Sequence, residues 1–134
     1  MSLSSYADLL LAAQQQPEPQ RLLFVFAAAE LPAGHTAEQQ ERFQARQGGH
    51  LAPVMCVDKA PDDLANFAAL VEESQKTGVY WDVVFVSSLS GRAGQAPNRD
   101  EAVQPLKMMV DAIKRGSVKN FAAFTRNGDV VRFL

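Results

Sequence analysis

Residues 22–28 read Leu-Leu-Phe-Val-Phe-Ala-Ala, an unbroken apolar run of strand length. A strand covered on one side alternates apolar and polar side chains, whereas a run without alternation belongs to a strand buried on both faces. Residues 83–86, Val-Val-Phe-Val, repeat the pattern, and Leu51 to Val57 supplies a strand between the two. Pro53 has no amide to donate, so this middle strand begins near it or lies at a sheet edge.

Helical periodicity fills the intervals. Tyr6, Leu9, Leu10 and Ala13 recur on one helical face, Ser5 with Asp8 suggests an N-cap, and Pro17 and Pro19 end the segment. Thr36 and Gln39 open a capping box for a polar helix that runs to about Gln47, anchored by Phe43 and stopped by Gly48 and Gly49. A third helix is predicted from Pro61, with Asp62 and Asp63 at its positive end, Leu64, Phe67, Ala68 and Val71 facing inward, and Gly78 as its stop. A fourth has Pro105 in its first turn, Leu106, Met109, Val110 and Ile113 on one face, and Gly116 after its end. Phe121 to Thr125 and Val130 to Phe133 flank Asn127-Gly128, a hairpin signal. The alternation predicts one α/β domain over residues 1–134, an α/β/α layered sandwich. Its mixed sheet is expected to hold about five strands, three parallel plus a C-terminal antiparallel hairpin.

Composition narrows the function classes. With 134 residues and 47% apolar content the chain supports a core that needs neither metal nor disulfide. Thirteen basic against fifteen acidic residues, with no dense cationic run, argue against duplex nucleic acid as the main partner. Lys114, Arg115 and Lys119 lie where a helix ends, and cations there suit the negative end of its dipole. Cys56 is the only cysteine, which fits a reducing compartment and rules out a four-thiolate zinc site within one chain. In residues 1–20 Asp8 interrupts the apolar stretch and no basic residue precedes it, unlike a secretory signal. No run reaches membrane-spanning length, so a cytoplasmic protein with no membrane partner is expected.

In an open parallel sheet, ligands bind beyond the carboxyl ends of the strands. That rim would hold Glu30 after the first strand, Asp58 and Lys59 after the second, and Ser87 to Gly94 after the third. There the hydroxyls of Ser87, Ser88 and Ser90, the backbone at Gly91 and Gly94, and the Arg92 cation would cup an anion. The stretch SGRAG matches neither the phosphate-loop nor the dinucleotide pattern, and the same residues suit a solvated turn. Cys56 reads as a small buried hydrophobe or as a nucleophile; His50 lies at the far end of its strand, about 20 Å away, and His35 lacks an orienting third residue. The two histidines have no metal-ligand spacing, and no cofactor or metal is expected. Tyr80 and Trp81 read as strand-edge packing, and Met108 with Met109 as core.

The segments RLLFVFAAAELP, PVMCVDKAPDDLANFAALVEESQ and VVFVSSLSGRAGQAP resemble a family of short proteobacterial proteins that carry the label "ribonucleotide reductase subunit alpha". The resemblance spans nearly the whole chain and implies a small bacterial domain, but no activity. A reductase catalytic subunit resembles a large ten-stranded barrel with three working cysteines. Cys56 stands alone here, so no reductase residue carries over and that function is rejected. The leading expectation is a small non-enzymatic module that binds an anionic small molecule or a protein partner through SSLSGRAG. The alternatives are a homodimer paired through the outer edge of VVRFL and a small enzyme using Cys56.

Overall fold

The structure, a computed structural model, describes residues 5–30, 50–63 and 66–131. Helix α1 spans Tyr6–Gln14, strand β1 Gln20–Glu30, strand β2 His50–Lys59, helix α2 Phe67–Gln75, strand β3 Val83–Ser90, helix α3 Arg99–Lys114 and strand β4 Ala122–Thr125. A short 3-10 turn occupies Pro61–Asp63. The helix expected from Thr36 to Gln47 lies outside the described residues.

The expected mixed sheet with three parallel strands is corrected. The described strands form one four-stranded sheet, ordered β2-β1-β3-β4, and every neighbouring pair is antiparallel. The run at 22–28 is nonetheless buried on both faces. Leu22, Phe24 and Phe26 pack in a cluster with Tyr6 and Leu9 of α1 and Leu70 of α2. Leu23, Val25 and Ala27 meet Ala102, Leu106, Met109 and Ile113 of α3 on the other side. Helices on both faces remove polar alternation whatever the strand direction, so the run reports two-sided burial and is silent on parallel or antiparallel pairing.

Strand β2 is an edge, and Pro53 marks where its pairing shifts. Phe26 faces Met55 while Ala27 faces Pro53, so Val54 is an extra residue in a bulge. Cys56, expected in the core, is exposed on this edge strand. Its neighbour in register is Val25, whereas His50 pairs with Glu30 at the far end.

Several boundaries differ from the sequence reading for local reasons. The stretch from Pro61 is not one helix: α2 starts after Asn66, whose side chain accepts from the Ala69 amide at 2.9 Å. Helix α3 begins at Arg99, ahead of the expected start, because Asn98 and Glu101 form a reciprocal capping box, which leaves Pro105 inside the helix. Met109 is buried as expected, but Met108 is 69% exposed. Trp81 is fully buried instead of lying at a strand edge, and its indole N–H donates to Ser74 Oγ at 2.8 Å. The C-terminal hairpin closes through a turn in which Gly128 donates to the Thr125 carbonyl, and Val130 then bridges Phe124. Its outer edge is described only as far as Val131.

Candidate functional site

The expected rim forms in part, through a different topology. Both β2 and β3 run antiparallel to β1, so their carboxyl ends reach the same end of the sheet. Leu23 faces Asp58 on one side and Ser87 on the other, and Leu22 likewise faces Lys59 and Ser88. Two strand spacings place Asp58 and Ser87 about 10 Å apart. Glu30 belongs to the opposite end, where β1 finishes.

Most polar groups of this rim are paired within the chain itself. Ser87, Ser88 and Ser90 are strand residues of β3, not loop residues. The Ser88 hydroxyl donates to Gln20 Oε1 at 2.6 Å, and Gln20 Nε2 donates to Ser90 Oγ at 3.1 Å. Asp58 pairs with Arg21 at 2.5 Å, and Lys59 with Glu73 at 2.7 Å. Arg92 and Gln95 exchange backbone hydrogen bonds across a two-residue turn, with φ of 53° at Ala93 and 80° at Gly94, as a tight hairpin turn with two left-handed residues requires. Gly91 lies so close to neighbouring backbone that a Cβ there would meet the Gln95 carbonyl oxygen at 2.1 Å. The Gly94 amide, one of the donors expected to cup an anion, donates to the Glu18 carboxylate at 2.8 Å. Only the Arg92 side chain of this turn is plainly exposed and cationic.

A second region has the opposite character. A groove of about 720 Å³ lies between the first turns of α1 and α2 and the turn at 126–128. Ser5 caps α1 by accepting from the Asp8 amide, and Asn66 caps α2 in the same way. Each cap satisfies the third amide of its helix. The amides of Tyr6 and Ala7, and of Phe67 and Ala68, precede the first intrahelical acceptor, and all four residues line the groove. Both helix N-termini thus bring partial positive charge to one place.

Arg126 adds a full charge at the same groove. Its guanidinium lies 5.4 Å from the Tyr80 ring centroid and 5.3 Å from that of Trp81, and it donates to the Trp81 carbonyl at 3.4 Å. The two rings hold a cation that elsewhere on a surface would be mobile. Glu72 is the one carboxylate among the described groove residues, while Leu10, Phe67 and Val71 supply an apolar wall. Asp8, in the first turn of α1, does not line it.

Tyr6 belongs both to the groove lining and to the core. It is 3% exposed with its ring packed against Phe24, Phe67 and Phe124, and its hydroxyl has no hydrogen-bond partner among the described residues. Burial pushes its ionisation up to about 12, so the hydroxyl stays a neutral donor at physiological pH. A buried polar group without a partner costs about 1–3 kcal/mol. Sequence reading placed Tyr6 on the helix core face and Arg126 in a hairpin turn; neither residue carries a motif, and the groove unites three segments distant in the chain.

Comparison with protein-family models, with curated proteins and with solved structures finds no match for the chain. No helix among the described residues is long and apolar enough to cross a membrane.

Proposed function

We propose that this domain is a binding module, not an enzyme, and that it takes a small amphipathic anion in the groove between α1, α2 and the 126–128 turn. The observation that carries the reading is that the first turns of two helices and the Arg126 cation line one groove. A ligand oxygen there would accept from first-turn amides that have no intrahelical acceptor, while the apolar wall covers the rest of the molecule. The loop 87–94 is the less favoured location, because Glu18 and Gln20 already occupy its donors. The single cysteine suits a cytoplasmic setting for such a module.

The test is thermal unfolding of the full chain with millimolar sodium octanoate, monooctyl phosphate, sodium octyl sulfate or octylamine. A ligand selective for the folded state raises the Tm by mass action. At least one anion is expected to stabilise the protein, the amine is not, and Arg126→Ala should abolish the gain while Arg92→Ala retains it. No stabilisation by any anion, or equal stabilisation by the amine, overturns the reading.

A further inference from the structure

We infer that the outer edge of β2 is an interface, and that its partner is a second copy of this chain, paired antiparallel about Val57. The two edges of the sheet are treated differently. Beyond β4 the chain returns on itself, with Val131 N–H donating to the Ala123 carbonyl and Thr125 N–H to that of Asp129. Beyond β2 no strand stands among the described residues. Pro53 and the bulge at Val54 blunt the first half of this edge, two devices that discourage strand addition, and the protection ends there. Cys56, just past the bulge, is exposed.

The direction of the backbone groups in β2 follows from β1. The carbonyl of Pro19, just ahead of β1, accepts from Gly91 and that of Ala27 from Asp82, so odd-numbered residues turn toward β3 and even-numbered ones toward β2. Leu22, Phe24 and Phe26 stand opposite Lys59, Val57 and Met55, so these three bond to β1 while Cys56 and Asp58 turn their N–H and C=O outward. A two-fold axis through Val57 uses every one of those outward groups. It sets Cys56 opposite Asp58 of the copy, each amide donating to the other residue's carbonyl, and the symmetry repeats the exchange. Val57 then meets its own counterpart and Met55 meets the aliphatic stem of Lys59, which carries the apolar cluster beneath α1 and α2 across the axis. Other centres fit worse. An axis at Asp58 opposes two carboxylates, and one at Cys56 or Met55 turns the outward groups onto the bulge.

Sedimentation velocity of the full chain under reducing conditions, from about 1 to 200 µM as suits a short interface, tests the pairing. Wild type is expected to pass from monomer to dimer across that range. Cys56→Asp meets the copy's Asp58 on both sides of the axis and should weaken the dimer about tenfold, whereas Cys56→Lys meets the same carboxylates and should hold it at least as tightly as wild type. Because Cys56 is exposed, both variants should keep the wild-type circular dichroism spectrum. A monomer throughout, or a dimer that Cys56→Asp weakens no more than Cys56→Lys does, overturns the interface.

Discussion

The 87–95 segment and the α1–α2 groove are both rich in hydrogen-bond donors, and they differ in what the rest of the chain does with them. In the first, Gln20 bridges Ser88 and Ser90, Glu18 takes the Gly94 amide, and Arg92 and Gln95 satisfy each other. In the second, the amides at two helix starts have no intrahelical acceptor and the Tyr6 hydroxyl has no partner among the described residues. Serine, glycine and arginine in one stretch therefore do not by themselves make a site. A donor is available to a ligand only after the fold's own acceptors have been counted.

The sharpest way to break this contrast is at Gly91. If the turn is the closed, self-satisfied unit described, Gly91→Ala drives a Cβ into the Gln95 carbonyl and the Pro19 carbonyl oxygen, at 2.1 and 2.9 Å. Urea unfolding should show a loss of about 3 kcal/mol, the scale of a backbone clash that cannot relax. Wild-type stability would reopen the turn as a flexible loop able to receive a ligand.

Alkaline pH probes the other region. The folded state holds the Tyr6 proton up to about pH 12, while the unfolded chain releases it near 10. Between those values the unfolded state binds fewer protons than the folded one, so the stability present below pH 10 declines as pH rises toward 12. The decline is about 2 kcal/mol, and the difference between wild type and Tyr6→Phe isolates it from other groups. Parallel curves for the two proteins would show a hydroxyl in contact with solvent.

The smallest effects carry opposite signs, which makes them diagnostic. Glu18→Gln replaces a charged acceptor at the Gly94 amide with a weaker one and should cost about 0.5–1 kcal/mol. Tyr6→Phe removes an unsatisfied buried hydroxyl and should stabilise the ligand-free protein by about 1 kcal/mol at neutral pH. Denaturation midpoints of the two variants, moving in opposite directions from wild type, would support the division between used and unused donors. A destabilised Tyr6→Phe would show that the hydroxyl has a partner.

Local features were legible from the sequence where a short stretch contains its own cause. Ser5 caps Asp8, Pro17 and Pro19 follow α1, and Asn127-Gly128 turns the C-terminal hairpin. Asn98 was missed because its capping signal sits inside a polar stretch that reads as loop, although Glu101 three residues on completes the box. Ser87 to Ser90 were read as loop for the same reason: polar side chains hide a strand whose register with β1 continues to Gln20. Of the expected site, Asp58 and Ser87 flank Leu23 and Lys59 and Ser88 flank Leu22 on the other face, and Asp58, Lys59 and Ser88 are held in internal pairs.

By itself the sequence determined that residues 22–28 are covered on both sides, because burial is written residue by residue in the apolar pattern. It could not determine strand direction, since a strand clothed by helices on both faces carries the same side chains whichever way its neighbours run. Only the tertiary structure decided that β2 and β3 flank β1 in the opposite sense, and only it paired Glu18 with Gly94 while leaving the Tyr6 hydroxyl without a partner among the described residues. The satisfaction of a hydrogen bond depends on groups far away in the chain, and that sum exists only once the chain has folded.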